Sequence, residues 1–492
     1  MGIRCAALGA LSGSLYCLAF PDFGLWPLAL LALVPLLQCV ELAPTGSAAL
    51  WGAALGGLIA NLGRGYFLLE TLQNFSALPI AVCALVTLLL CALQGGQLVL
   101  FVWLLRQARA RGLQVGACAP VAFATTELVY PRIFHDYLAN ALHDQTHALQ
   151  IVDLGGPGLL SMAIVLASGA VHELIGWSRR RRAFPRALTL AGAVTWVAVL
   201  LYGGYRIDEV ERRMADAPHA VVGVAQANAG MFDKRKKRRK YYLRHHHSSR
   251  ALEKEVQPDL LVWPETSVQR VRDTKKTHAG LSTPLLLGTV DRREVDGRSR
   301  KYNTALLTDA DGKLVGRYDK RHLLPFGEYL PLEESVPALR SLSPRSGRFS
   351  AGQGHDALRV GPFRISALIC YEDVVPALVR DAVRRGRPNL LANLTNDAWF
   401  GDTNAPWLHL ALAKFRAVEH HRTLVRATNS GVSAIVDPLG RTIAQAKTFA
   451  RARIHAEVAL LDTDTLYSRV GDAPGALSLI ATLAMFARRR RR

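Results

Sequence analysis

The sequence predicts two architectures in one chain: a bundle of eight apolar, membrane-crossing helices, and an α/β layered domain inserted between the seventh and the eighth. Three observations predict it. Seven apolar stretches precede residue 207 and an eighth lies at 473–487. From 207 to 472, short apolar runs bounded by Pro, Gly, Asn or Asp alternate with helical patterns. The basic clusters that follow the apolar stretches all fall on one side of the bundle.

The apolar stretches lie at 5–20, 25–40, 47–69, 78–105, 115–131, 159–177, 187–206 and 473–487. Crossing a bilayer takes about 20 apolar residues, so the third, fourth, sixth and seventh have length to spare, whereas the first, second, fifth and eighth are short. A hydrophobic fraction of 50% with only 20% charged residues supports membrane embedding. Arg106, Arg109 and Arg111 follow the fourth stretch, 179–182 and Arg186 follow the sixth, and 488–492 follow the eighth. Counted along eight spans, these clusters share one face, which the positive-inside rule makes cytoplasmic. The reading divides the chain into 1–206 (seven spans), 207–472 (a domain outside the inner membrane) and 473–492 (the last span and a basic tail). Pro21-Asp22-Phe23-Gly24-Leu25-Trp26-Pro27 reads as a turn between two helices, so the first stretch is kept as a span and not as a cleaved leader.

Within the polar half, strands are expected at 221–225, 260–263, 285–290, 304–307, 364–369, 390–394, 432–436 and 454–459. Between them Leu408, Ala411, Leu412, Phe415 and Val418 repeat at helical spacing. The net charge of +21 concentrates in 234–240 with Arg244, His245, His246, His247 and Arg250. A solvated helix face is the plainer reading of that run, and attraction to anionic phospholipid headgroups the functional one. Its three histidines suggest metal only weakly. Nucleic acid is disfavoured for a domain outside the cytoplasm. Seven cysteines without a CxxC pair give neither a disulfide framework nor a zinc site.

Cys370 is the one thiol of the polar half; Cys5, Cys17, Cys39, Cys83, Cys91 and Cys118 all lie in the apolar half. It closes an apolar strand and is followed by Tyr371-Glu372-Asp373, a place where loops gather around a substrate. Glu265 follows a strand in Trp263-Pro264-Glu265, and Lys320 ends Tyr318-Asp319-Lys320. In open α/β sheets, sites collect at strand C-terminal ends. Singly, each has a dull reading: solvated acid, one of 60 basic residues, core thiol. Together they supply an acid/base, a cation and a nucleophile.

The set Trp263-Pro264-Glu265, Tyr318-Asp319-Lys320 with Pro325-Phe326-Gly327-Glu328-Tyr329, and Cys370-Tyr371-Glu372 resembles the Glu-Lys-Cys triad of the nitrilase (carbon-nitrogen hydrolase) superfamily. Further matches are Tyr302-Asn303-Thr304-Ala305, Asn396-Asp397-Ala398-Trp399-Phe400-Gly401 and Arg426-Ala427-Thr428-Asn429-Ser430-Gly431. Joined to eight spans, the pattern resembles the bacterial apolipoprotein N-acyltransferase family over nearly the whole chain. The resemblance implies an αββα sandwich for 207–472, periplasmic, on a multi-pass inner-membrane protein. It implies transfer of an acyl chain from a phospholipid to the α-amino group of a diacylglyceryl-cysteine at an apolipoprotein N-terminus. Glu265, Lys320 and Cys370 would be the catalytic residues: base, oxyanion cation (with the Tyr371 N–H) and thioester-forming nucleophile. Glu328 would orient Lys320 and Glu372 would shape the tetrahedral intermediate. Asn303, Trp399 and Phe400 would contact substrate, the aromatic pair at acyl-chain entry, against the plainer reading of two core rings. No cofactor or metal is implied, and a monomer is expected. A membrane-tethered amidase and a non-catalytic lipid-binding or transport module are the rivals. Two stretches depart from the family pattern: Tyr130-Pro131-Arg132-Ile133-Phe134-His135-Asp136-Tyr137, and the residues after Gln226-Ala227-Asn228, where a basic run replaces a Lys-Trp pair.

Overall fold

The computed structural model describes residues 2–76, 78–179, 183–230, 237–333, 335–342, 346–354 and 356–488. The arginines at 180–182 and 489–492 and the basic residues at 234–236, which figure in the charge reading, lie outside them. The chain forms two units: Met1–Tyr66 with Ala84–Asp208 and Arg469–Arg492, and Phe67–Cys83 with Glu209–Ser468. The second differs from the span-by-span division in claiming a piece of the N-terminal half. The third apolar stretch is helical only over Gly46–Gly65, and a separate helix, Phe67–Phe75, follows. Glu70, Gln73 and Asn74 make that helix amphipathic, and it packs within the second unit.

In the first unit, Gly2–Ala19, Ile80–Ala110, Val152–Ser178 and Arg186–Asp216 are helices long and apolar enough to cross a membrane, and Trp26–Leu42, Val115–Val129 and Ala473–Ala487 are shorter apolar helices. Helix Gly2–Ala19 crosses Gly46–Gly65 at backbone contact. A Cβ on Gly9 would lie 1.9 Å from the Gly52 carbonyl oxygen and one on Gly13 2.2 Å from that of Gly56. Two GxxxG pairs thus replace side-chain packing with close van der Waals contact, the packing available to helices that lack a hydrophobic drive between them. The divergent stretch at 130–137 is held by charge: Asp136 pairs with Arg64 at 2.5 Å and accepts from Gln94 Nε2 at 3.1 Å.

The second unit is built on two six-stranded sheets. One contains β1 (His219–Gln226), β2 (Leu260–Val262), β3 (Leu285–Val295), β4 (Arg298–Thr308), β5 (Leu314–Asp319) and β12 (Ala452–Ala459), in the order β12-β1-β2-β3-β4-β5. The other contains β6 (Leu358–Val360), β7 (Phe363–Ile369), β8 (Leu390–Thr395), β9 (Thr423–Thr428), β10 (Ala434–Val436) and β11 (Thr442–Gln445), in the order β11-β10-β9-β8-β7-β6. β1-β2-β3 and β7-β8-β9 pair in parallel, and the remaining neighbours are antiparallel. β2, β8 and β9 are buried along their whole length; β2 and most of β8 are apolar runs without alternation for that reason, whereas β9 holds Arg426 at its centre.

Helix Arg238–Glu255 covers the first sheet. Leu252 joins Leu261, Leu285, Leu287 and Trp263 in one core, and Trp263 Nε1 donates to Ser249 Oγ at 2.8 Å. Its basic residues therefore occupy the outer face of a packed helix. Two of its histidines are interior groups: the His245 ring stacks on Trp263 at 5.1 Å and His246 meets the same ring edge-on. Helices Pro376–Gly386 and Ala405–His420 cover the second sheet, with Val379, Val383, Leu410, Ala413 and Ala417 packed on Leu368, Leu391 and Leu424. Helices on both outer faces of two sheets give the α/β sandwich expected of this part of the chain.

Candidate active site

The three residues singled out by type sit at strand ends from both sheets. Glu265 is the third residue after β2; Pro264 turns the chain there, and β3 leaves room for it at Gly288, where a Cβ would fall 2.6 Å from the Glu265 Cα and the Pro264 carbonyl oxygen. The Glu265 carbonyl accepts from Asn429 Nδ2 at 2.9 Å, so the Asn429-Ser430-Gly431 loop after β9 fixes its height. Lys320 is the residue after β5, its N–H donating to the Asn303 carbonyl at 2.8 Å. Cys370 is the residue after β7, with φ 53°. That left-handed backbone costs a non-glycine residue about 1–3 kcal/mol and swings the thiol out of the strand direction, as in other nucleophile-bearing turns.

Asn303 on β4 ties the acids of the first sheet together. Its Nδ2 donates to Glu265 Oε1 at 2.6 Å and to Glu328 Oε1 at 2.9 Å. The other Glu328 oxygen takes the Leu324 N–H at 2.9 Å and lies 2.6 Å from Lys320 Nζ. A chain Glu265–Asn303–Glu328–Lys320 results, with Lys320 only 1% exposed. Burial opposes the Lys320 charge, but Glu328 first and then Cys370, Glu265 and Glu372 outweigh it and hold its pKa above the ordinary lysine value. Lys320 is therefore a permanent cation.

The Cys370 thiol is also shifted upward, which for this group favours the neutral form. Burial, followed by the Glu265 charge, pushes it up to about 12, against the downward pull of Lys320. At neutral pH the group is a thiol, not a standing thiolate, so any attack by sulfur must be coupled to removal of its proton.

Glu372 faces away from open space. One oxygen accepts the Arg321 and His322 N–H groups at 2.7 and 2.9 Å, the other the Ile369 N–H at 2.8 Å, and the Tyr318 hydroxyl reaches both. It pins the turn after β5 to the end of β7, joining Lys320 to Cys370 through backbone. Burial raises its pKa, against the pull of Lys320 and these N–H donors. Tyr371 is buried and stacks on His322 with centroids 5.8 Å apart. Trp399 and Phe400 lie on the turn Asp397–Phe400 and are both partly exposed. Phe400 meets Phe67 edge-on at 5.5 Å, and the Trp399 carbonyl accepts from Asn74 Nδ2 at 3.3 Å. The helix Phe67–Phe75 thus forms one wall of the aromatic turn, a contact that no pattern in the polar half announces.

Four more buried groups lie behind Cys370: Asp373, Asp397, His409 and Arg426. Asp397 and Arg426 fall inside motifs quoted above. Asp373 stands three residues after Cys370, and His409 had no signal beyond its place in a helix.

Comparison with known proteins adds the following. Residues 220–466 match the carbon-nitrogen hydrolase family, and residues 12–170 match the N-terminal domain of apolipoprotein N-acyltransferases. The apolipoprotein N-acyltransferase of Geobacter metallireducens is 32% identical, over 94% of this chain and 91% of its own length. That of Azotobacter vinelandii is 31% identical, over 94% of this chain and 90% of its own. Among solved structures, the Saccharomyces cerevisiae nitrilase-superfamily member Nit3 matches 52% of this chain and 94% of its own, at 20% identity and a TM-score of 0.38.

Proposed function

We propose that this chain, which belongs to the apolipoprotein N-acyltransferase family, moves an acyl chain from a phospholipid, through a thioester on Cys370, to the α-amino group of an apolipoprotein's N-terminal diacylglyceryl-cysteine. The observation that carries the chemistry is the chain Glu265–Asn303–Glu328–Lys320 beside a thiol held on a strained turn.

In the first half-reaction Glu265 takes the Cys370 proton as sulfur attacks the ester carbonyl, and the oxyanion forms against Lys320 and the Tyr371 N–H. Collapse expels the lysophospholipid oxygen, which receives the proton from Glu265, and leaves the acyl group on sulfur. In the second, the neutral amine attacks the thioester, Glu265 takes an amine proton, and the departing sulfur recovers it as a thiol. Glu328 acts by fixing the Lys320 ammonium, Asn303 by fixing both glutamates, and Glu372 by bracing the two turns that carry Lys320 and Cys370. Trp399 and Phe400 are the groups that meet the acyl chain. Two substrates using one nucleophile in turn give ping-pong kinetics.

Membrane embedding is supported by four long apolar helices among the described residues and by a row of exposed apolar residues, Leu190, Val194, Val197 and Leu201, along Arg186–Asp216. In the proposed topology the protein is a monomer of eight spans in the bacterial inner membrane, with the catalytic domain inserted between the seventh and eighth spans on the periplasmic side.

Incubation with radiolabelled phospholipid tests the reading. The transferase forms a hydroxylamine-sensitive adduct that Cys370→Ala abolishes, and a lipopeptide amine discharges it. A membrane-tethered amidase would instead hydrolyse small amides and leave the lipopeptide unacylated.

A further inference from the structure

We propose that His409 and Arg426 are positioning residues that set the nucleophile turn Cys370–Val374 and the aromatic turn Asp397–Phe400 in one frame, and that this tie holds only while His409 is an imidazolium. The inference rests on the acyl-transfer reading of Cys370 for its consequence in catalysis, but the tie itself is a matter of geometry.

The two cations join the same two carboxylates. His409 Nε2 lies 2.8 Å from Asp373 Oδ1, on the nucleophile turn, and its Nδ1 lies 3.0 Å from Asp397 Oδ1, on the aromatic turn. Arg426 Nη1 donates to Asp373 Oδ2 at 2.6 Å and Nη2 to Asp397 Oδ2 at 3.0 Å. Arg426 Nη1 also reaches Asn393 Oδ1 at 3.2 Å, and Asn393 Nδ2 donates to the Cys370 carbonyl at 2.9 Å. The quartet therefore acts on the backbone of the nucleophile itself. It is closed to water: Arg426, Asp373 and Asp397 are completely buried or nearly so, and His409 is 8% exposed. Space is fitted to it, since a Cβ on Gly431 would fall 2.2 Å from Asp397 Oδ2.

Both ring nitrogens of His409 face carboxylate oxygens at hydrogen-bond distance. A neutral imidazole has one N–H, so it would leave one carboxylate facing a lone pair. The charged ring balances the group at two cations and two anions. The charged groups facing His409 are Asp373 from the nucleophile turn, Asp397 from the aromatic turn and Arg426 from β9; Asn393 on β8 is neutral. Burial and the Arg426 charge disfavour the imidazolium, yet the two aspartates outweigh them and the net shift is upward from 6.5.

The test uses the full chain in detergent and needs no variant to start. Hydrogen exchange at about pH 6 and about pH 9, corrected for intrinsic rates, reads the amides of 370–374 and 397–401. The tie predicts that both segments lose protection together at the higher pH, and that His409→Gln has lost it in both already at the lower. Acyl-enzyme formation from mixed phosphatidylethanolamine–phosphatidylglycerol micelles is then followed in a single turnover, which leaves out the acceptor amine. Wild type should show an alkaline descending limb; His409→Gln should lack the limb and run slower on the order of 10²-fold, as for a misplacement of about 1 Å. Protection that ignores both pH and the variant, or that falls in only one turn, overturns the inference. Coupled loss of protection without any Cys370 adduct would uphold the tie and sink the acyl-transfer reading instead.

Discussion

The two sheets bring buried charge to the same thiol in opposite ways. At the end of the first sheet, Lys320 is one cation among the carboxyl groups of Glu265 and Glu328 and, from the turn after β7, Glu372, so carboxyl groups outnumber cations beside a protonated sulfur. On the second, Asp373 and Asp397 meet His409 and Arg426 in a set whose charges balance and whose cations both bond both carboxylates. The first is arranged so that a proton has somewhere to go; the second so that nothing moves. Buried charge marks a reactive site only where it is left out of balance, and the balanced quartet behind it is scaffolding.

The contrast yields graded predictions. Arg426→Met should be the most damaging to folding, because it strands two buried carboxylates: about 3–5 kcal/mol, read as a lowered unfolding midpoint in detergent. Lys320→Met also unpairs the part-buried Glu328, which keeps its Asn303 and Leu324 donors, so it should cost less stability than Arg426→Met while removing an oxyanion donor worth about 3–4 kcal/mol, a 10²–10³-fold slower acyl-enzyme formation. Equal unfolding losses for the two would erase the distinction. Gly288→Ala should fall between, forcing a methyl against the Glu265 backbone at about 1–3 kcal/mol and slowing acylation by displacing the base. Phe67→Leu should be mildest, keeping a buried apolar side chain while removing one edge-on ring contact of about 0.5–1.5 kcal/mol, and raising the phospholipid KM more than it lowers kcat.

Stability should also follow pH from the quartet. Asp397 is held below its ordinary 3.8: burial opposes this, and Arg426 and His409 overcome it. Its contribution is present above that value and lost as pH falls through the lowered one. His409 is raised, so its contribution is complete below 6.5 and is lost as pH rises through the higher value. Thermal unfolding across pH should show both limbs in wild type and only the acid limb in His409→Gln.

Much of this was legible in the residues. β7 and β8 announce themselves as apolar runs because both faces are buried, and Glu265, Lys320 and Cys370 each stand just past a strand end. β9 escaped because its centre holds Arg426, which reads as a loop residue until its two aspartates are in place. His409 escaped for a related reason. The spacing of Leu408, Ala411, Leu412, Phe415 and Val418 implies a helix with one wet face, whereas Ala405–His420 is buried on nearly all sides and its second face carries polar groups inward. Phe67–Phe75 begins inside the apolar stretch 47–69 and runs past its end, a boundary that only tertiary packing defines. Periodicity records where apolar surface is buried; it is blind to buried charge that finds its partner far along the chain.

The central claim is that Cys370 is a thiol whose proton leaves only as it attacks, with Glu265 as the base. Peptide mass spectrometry after incubation with phospholipid tests it most directly. The account predicts an acyl adduct on the Cys370 peptide in wild type, its disappearance when a lipopeptide is added, and no adduct in Glu265→Gln. Equal adduct in Glu265→Gln, or acylation of the lipopeptide with Cys370 never modified, would contradict it.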